Sequence, residues 1–295
     1  MCRFHEPSRR GHVQVPPARR FDSPQNNLAD TGAGLLDSSL CRPIKTCEKK
    51  STPPQKSGTT EARVLVKETL RRLVSFSRRG PHGLVRLGIC FFEVFPETRD
   101  LMLAGYYENE EREAIKRYLS SDLPVIELGG SQGVVACITN RVLTAKTSHI
   151  VVEANPNVIP LLTRNRDRNR CKFEVVHGAV GPPGETITFF CNDNPLMSST
   201  QISEMQSCEV PSVTLSELVG SRGFRDCTLI CDIEGAEIAL IERELETLSD
   251  RFRLLIIEFH PTISGSTEVH RNLDQLSKHG FTVIWKKRHV HVLRK

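Results

Sequence analysis

From Pro124 to the end of the chain, short apolar runs alternate with stretches of helical spacing, and no other feature narrows the possible folds as far. The runs read VIELGG, HIVVEANP, FEVVHGAVG, CTLICDIEG and RLLIIEFHP; between them lie QGVVACITNRVL, PNVIPLLTRNRDRNR, TLSELVG and AEIALIERELETLSD. Strands and helices in this order predict an α/β fold with a mainly parallel sheet and helices on both faces. The runs are apolar throughout, as strands covered on both sides are. The chain closes with EVHRNLDQLSKHG, a helix capped by Gly280. FTVIW and HVHVL follow, separated by basic residues, and are expected to pair antiparallel at the sheet edge.

The first part of the chain lacks this pattern. Residues 1–60 are rich in Pro, Ser, Arg and Lys, with sparse apolar residues and no period. Such a segment cannot bury enough surface to offset its ordering entropy, so it reads as a disordered basic tail. Its 10 Lys and Arg against 5 Asp and Glu account for the whole net charge of +5. The remainder is neutral and offers no basic face for nucleic acid, so no nucleic-acid partner is expected. The start of the chain has no apolar core of a secretory signal; its Arg- and Ser-bearing, acid-poor composition leaves a transit peptide open. The 10 cysteines include no C-x-x-C pair, which suits reduced thiols in a cytoplasmic protein. No run approaches the ~20 apolar residues of a membrane span.

Residues 61–105 read as an N-terminal helical extension. Val64, Leu65, Leu70, Leu73 and Val74 fall at helical spacing, and Gly80-Pro81 stops the helix. GLVRLGICFFEVFPETRDLML fits either a short strand or a buried helical turn. ENEEREAIKRYLSSDLP is an amphipathic helix with acids in its first turn and Lys116 and Arg117 late, as the helix dipole favours.

Open α/β sheets bind ligands beyond the carboxyl ends of their strands. The first strand ends at Glu127, and Gly129, Gly130 and Gly133 follow before a helix. The second ends in VVEANP, which puts Glu153 near the ~20-residue spacing of an acid that grips ribose hydroxyls. A tight turn would explain the glycines alone, and a solvated strand end the acid alone. Together they point to an adenosine-containing ligand. An acid two residues ahead of the first glycine suits a ligand with a cationic end, such as the ammonium and sulfonium of S-adenosylmethionine. It would repel the pyrophosphate of NAD.

GYYENEE, VIELGGSQG, VVEANP, CDIEGAE and LIIEFHP, in that order, together with TLSELV, resemble the FkbM-type family of S-adenosylmethionine-dependent methyltransferases over Gly105 to His291. The resemblance implies a Rossmann-like class I methyltransferase, a mainly parallel seven-stranded sheet with its last strand antiparallel, in a methyltransferase domain spanning 106–295. It implies S-adenosyl-L-methionine as cofactor. Glu127, Gly129, Gly130 and Gly133 would surround its methionine part and ribose, Glu153 and Asn155 would bind the ribose, and Gly178 and Ala179, after His177, would lie near the adenine. Tyr107 and Glu108 match the family's Tyr-Glu before the first helix, which would put Glu108 among the cofactor-binding residues. Asp232, Glu234 and Glu237 match its motif after the fourth strand, and Glu258 and His260 its motif after the fifth. Glu127, Gly130 and Ser131 depart from the family's D-V-G-A-N-x-G, and Ile230 stands where a Lys often precedes the fourth-strand Asp.

The resemblance implies methyl transfer to oxygen on a sugar or small metabolite, so the expected partner is a small-molecule or glycan acceptor. Methyl transfer asks the protein to hold a nucleophile in line with the methyl and accept its proton. Asp232, Glu234, Glu258 and His260 are the candidates. His260 could equally cap the turn at Pro261, Glu234 could satisfy helix amides, and Glu237 reads as structural. The trio of acids with His260 could hold a divalent cation as hard oxygen ligands do, but no spacing sets a coordination geometry and no metal is assigned. CNDNPLMSST (Cys191 to Thr200) could wall the acceptor or be a solvent loop, and the Arg164–Arg170 run reads as a solvated helix face. An NAD-dependent oxidoreductase and a non-catalytic module with the same fold stand as alternatives.

Overall fold

The computed structural model describes residues 75–76, 78–80, 83–191 and 206–295. The basic tail of residues 1–60, the start of the helical extension at 61–74, and nearly all of CNDNPLMSST lie outside the described residues. Those described belong to one unit, Lys56–Lys295.

The stretch left open between strand and helix contains both. β1 (Val85–Leu87) and β2 (Cys90–Phe92) form an antiparallel hairpin with Val85 opposite Phe92. Pro96 then opens α1 (Pro96–Ala104), where its missing N–H is no loss. Gly105 ends that helix in the left-handed region, its N–H turned back to the last carbonyls. α2 (Asn109–Tyr118) follows, with Glu110 and Glu111 in its first turn and Lys116 and Arg117 in its last.

The expected alternation begins at β3 (Val125–Leu128) and runs through α3 (Val134–Val142), β4 (His149–Glu153), α4 (Ile159–Arg168) and β5 (Glu174–His177). An interruption comes next: β6 (Ala179–Val180), β7 (Thr186–Cys191) and β8 (Gln206–Val213) build a separate three-stranded sheet in the order β6-β8-β7. The pattern resumes with α5 (Leu215–Arg222), β9 (Cys227–Cys231), α6 (Glu237–Arg251), β10 (Phe252–Glu258), α7 (Pro261–Ser264), α8 (Ser266–Lys278), β11 (Thr282–Lys287) and β12 (Val290–Arg294).

The main sheet has seven strands in the order β11-β12-β10-β9-β3-β4-β5. Pairing is parallel from β10 through β9, β3 and β4 to β5. β12 runs antiparallel to both neighbours. The final pair was expected at the edge, but only β11 lies there; the last strand in sequence slips between β11 and β10. Burial explains the order. Val292 and Leu293 of β12 are fully buried, whereas Val283 and Ile284 of β11 are exposed.

Both faces of the central strands are covered. Ile126, Leu128, Ile150, Val152 and Leu229 pack with Leu215 and Leu218 of α5, Leu240, Ile241 and Leu248 of α6, and Leu276 of α8. On the other face Val125, Ile230 and Ile256 meet Ala114 and Ile115 of α2 and Val135 of α3. Val151 packs there with Val134 of α3, Leu162 of α4 and the hairpin residues Val85 and Phe92. Each fully buried Val, Leu or Ile contributes roughly 1.5–3 kcal/mol. Among the described residues, no helix is long and apolar enough to cross a membrane.

α5 is the shortest helix covering the sheet and depends on its first turn. Thr214 Oγ1 accepts from Glu217 N at 3.1 Å, and Glu217 Oε2 accepts from Thr214 N at 3.1 Å, a complete capping box. Thr214→Ala should lower stability by about 1 kcal/mol in a urea titration, and Thr214→Ser should retain most of it.

Candidate functional site

The carboxyl ends of β3, β4, β5 and β9 meet at one rim of the sheet. Gly129, just past β3, has a φ of +88°, and a Cβ there would stand 1.7 Å from the Asp232 carbonyl oxygen. No side chain fits, so the turn after β3 lies directly against the end of β9. The same turn is pinned to β4, because the N–H groups of Gly129 and Gly130 both donate to Val152 O, at 3.0 and 3.1 Å.

Beside this crossing lies a hollow of about 200 Å3. Of the expected cofactor residues, Glu108, Gly129, Glu153, Asn155, Gly178 and Ala179 line it. Gly130 and Gly133 do not. A Cβ on Gly130 would meet Val151 Cγ1 at 2.6 Å, and one on Gly133 would meet Leu162 Cδ1 at 2.6 Å. Their lack of a side chain serves helix–sheet packing and not ligand approach.

Glu127 is also absent from the lining. Its side chain is on the same face of β3 as Val125, under the helices, and its Oε2 is 3.2 Å from His149 Nε2 of β4. Burial pushes the Glu127 carboxyl well above its ordinary range and pulls His149 down to about 3. Both groups are thus held neutral, and the acid expected to face a cationic ligand is a core residue. Register is the reason: alternate strand residues face opposite sides, and Glu127 shares parity with the buried Val125.

Glu153 takes a double role. Its Oε2 accepts from Ser131 N at 2.6 Å and its Oε1 from Asn155 N at 2.7 Å, so one carboxylate clasps the loops after β3 and β4. Burial raises its pKa while these backbone donors oppose the rise. Tyr107 borders the hollow as well. Its hydroxyl is 3.2 Å from Ser131 Oγ and accepts from Gln132 Nε2 at 3.0 Å, and Gln132 Oε1 accepts from Phe95 N at 2.8 Å. The glycine turn is thereby tied to the start of α1.

The opposite wall is acidic. Asp232 and Glu234 line the hollow with Glu108; Glu258 and His260 lie behind them, outside the lining. Burial pushes Glu108 up to about 8 and raises Asp232 and Glu234. Glu258 hydrogen-bonds Glu111 of α2; burial lifts the pair to about 7 and about 8. His260 Nδ1 stands 3.0 Å from Glu237 Oε1, and its Nε2 is 3.4 Å from Glu234 Oε2 and 3.6 Å from Asp232 Oδ1. Burial works against a charged ring, but the three carboxylates outweigh it and hold His260 up at about 9. The carboxylates around the ring thus bias His260 towards its protonated form, while burial biases the neighbouring carboxyls towards theirs.

Backbone strain concentrates at the same rim. Glu108, Ser131 and Glu234 have φ of +47°, +43° and +50°, a region that costs a non-glycine residue roughly 1–3 kcal/mol. All three line the hollow. Sequence reasoning gave Ser131 no role beyond its departure from the family pattern, and missed Phe189 and Val180, which the inserted sheet brings to the hollow. Glu111 was legible as an anomaly, an acid one turn ahead of the buried Ala114 and Ile115. Nothing local marked Phe189.

The sequence matches the family described as "Methyltransferase FkbM domain" over residues 127–283, more than half of the chain. No curated protein matches it significantly. Among solved structures it is similar to a methyltransferase from Pyrococcus furiosus, at 13% identity over 80% of this chain and 98% of that one, with a TM-score of 0.42. It is also similar to Aeropyrum pernix fibrillarin in complex with S-adenosyl-L-methionine, at 13% identity over 63% and 72%, with a TM-score of 0.37.

Two predictions follow from this geometry. Gly129→Ala should destabilise the fold by about 3 kcal/mol or more, whereas Gly220→Ala, which meets nothing within 4 Å, should stabilise α5 by about 0.5–1 kcal/mol; urea midpoints separate them. Glu111 and Glu258 have folded pKa values raised above the ordinary 4.5. The folded state therefore binds more protons than the unfolded state, and stability contributed below 4.5 is lost as pH rises through about 7 to 8. Thermal midpoints should fall across that window, and less steeply in Glu111→Gln.

Proposed function

The chain belongs to the methyltransferase FkbM domain family, and on that premise we propose that it transfers a methyl group from S-adenosylmethionine to a hydroxyl of a sugar or other small metabolite. The observation that carries this reading is the hollow at the strand ends, with Glu153 and Asn155 on one side and Glu108, Asp232 and Glu234 on the other. Glu108 Oε2 is buried there without a hydrogen-bond partner, which suits an ammonium group. An acidic wall also disfavours the NAD pyrophosphate and the phosphates of a nucleic-acid acceptor.

In this reading Glu153 and Asn155 hold the ribose, Gly178 and Ala179 leave room for the adenine, and Phe189 gives it an apolar wall. Glu108 takes the ammonium. The bound cofactor supplies an electrophilic methyl carbon and a neutral leaving group. The protein's share is to hold the acceptor oxygen in line. Asp232 or Glu234 takes the hydroxyl proton, worth roughly a hundred- to ten-thousand-fold. Glu258 and His260 keep those acids in place. We assign residues 106–295 to the methyltransferase domain, preceded by the extension and the basic tail. Among the described residues Cys90, Cys137, Cys171, Cys227 and Cys231 are free thiols, which suits a cytoplasmic setting.

Isothermal titration with S-adenosylhomocysteine should give saturable binding, and Glu153→Gln should weaken it about 10- to 100-fold with an unchanged circular dichroism spectrum. Tight binding of NAD instead, or equal affinity in the variant, would count against the assignment. Incubation with isotopically labelled cofactor and a panel of hydroxylated acceptors, read by mass spectrometry, tests the transfer itself.

A further inference from the structure

We propose that the Ser131 hydroxyl receives the carboxylate at the amino-acid end of the cofactor, and that Gln132, acting through the Tyr107 hydroxyl, is the positioning residue that aims it. The proposal deepens the methyltransferase reading and rests on it for the identity of the ligand.

The hollow offers an anion few partners. Its lining includes no Lys, Arg or His, and apart from the acids its side-chain N–H and O–H donors belong to Tyr107, Ser131 and Asn155. The ammonium and carboxylate of S-adenosylmethionine hang from one carbon. An ammonium on Glu108 therefore brings the carboxylate close to the same acid, where it is unfavourable without a donor. Asn155 stands with Glu153 on the ribose side. Tyr107 and Ser131 are the side-chain donors beside Glu108, since the Tyr107 hydroxyl reaches both Ser131 Oγ and the Glu108 carboxyl.

The hydrogen bonds behind Ser131 have a direction. Phe95 N can only donate, and it donates to Gln132 Oε1 at 2.8 Å. This fixes the amide and turns Gln132 Nε2 to the Tyr107 oxygen, to which it donates at 3.0 Å. Thr98 Oγ1 also stands 3.1 Å from Gln132 Oε1. Both Gln132 and Thr98 are buried, so water does not replace either partner. Burial holds the Tyr107 phenol well above its ordinary range, and it keeps its proton. With an ammonium on Glu108, that proton turns to Ser131 Oγ, 3.2 Å away, and the Ser131 hydroxyl is left to donate into the hollow. The Ser131 backbone is fixed as well, at a φ of +43° with its N–H on Glu153 Oε2 at 2.6 Å. Phe95, Thr98 and Tyr107 all precede the family match over residues 127–283. The start of α1 thus reaches the site through Gln132.

Calorimetry on the full-length protein with two ligands tests the relay: S-adenosylhomocysteine, and methylthioadenosine, which keeps the adenosine and the sulfur but has no amino-acid end. Ser131→Ala should weaken S-adenosylhomocysteine about 10- to 100-fold, and Tyr107→Phe and Gln132→Met about 3- to 10-fold. Methylthioadenosine should bind all three variants as it binds the unaltered chain. Ser131→Asn brings an amide donor of its own and tolerates left-handed backbone, so it should keep the affinity and make it insensitive to Tyr107→Phe. Equal losses for both ligands, or an unchanged S-adenosylhomocysteine affinity in Ser131→Ala, overturns the proposal and reduces the relay to a brace for the turn. In that outcome binding of both ligands by the unaltered chain leaves the cofactor reading standing, whereas a chain that binds neither fails both.

Discussion

The rim of this sheet depends on one close crossing of backbone. The turn after β3 passes so near the Asp232 carbonyl that only hydrogen fits on Gly129. That contact brings the loops after β3 and β9 to the same place, and the Glu153 carboxylate then draws in the loop after β4 through Ser131 N and Asn155 N. A buried carboxylate with two backbone donors is stable where an unpaired one would not be. The hollow is therefore the space left over when three loops are held by a glycine and a clasp.

Electrostatics at the rim are unbalanced by design of the sequence. Five acids, Glu108, Glu111, Asp232, Glu234 and Glu258, all sit at raised pKa, and burial is the largest cause in each. One imidazole, that of His260, answers three carboxylates. Sharing protons, as Glu111 and Glu258 do, reduces the repulsion without removing it. A fold that needed only stability would gain from apolar residues at such positions. Together with left-handed backbone at Glu108, Ser131 and Glu234, the unbalanced charge marks a place where the chain gives up stability for binding.

Much of the fold was legible in advance. The parallel core followed from the apolar runs, α5 from the helix-like stretch TLSELVG between two of them, and α2 from its charge gradient. The hairpin β1–β2 stayed ambiguous because VRL and CFF are too short to show a period. The inserted sheet was missed since Pro211 interrupts its longest strand and β6 has only two residues. At the site, Glu108, Glu153, Asn155, Asp232 and Glu234 line the hollow, whereas Glu127 turns into the core and Gly130 and Gly133 serve packing.

By itself the sequence determined which runs become the parallel strands, where their carboxyl ends fall, and which acids are close to them, because hydrophobic period and turn residues act locally. Which side of a strand Glu127 faces, how Phe189 reaches the hollow, and that Glu237 holds His260 against two further carboxylates were decided only by tertiary structure. These contacts join residues far apart in the chain, and their geometry comes from the register and crossing of whole elements, which no local pattern encodes.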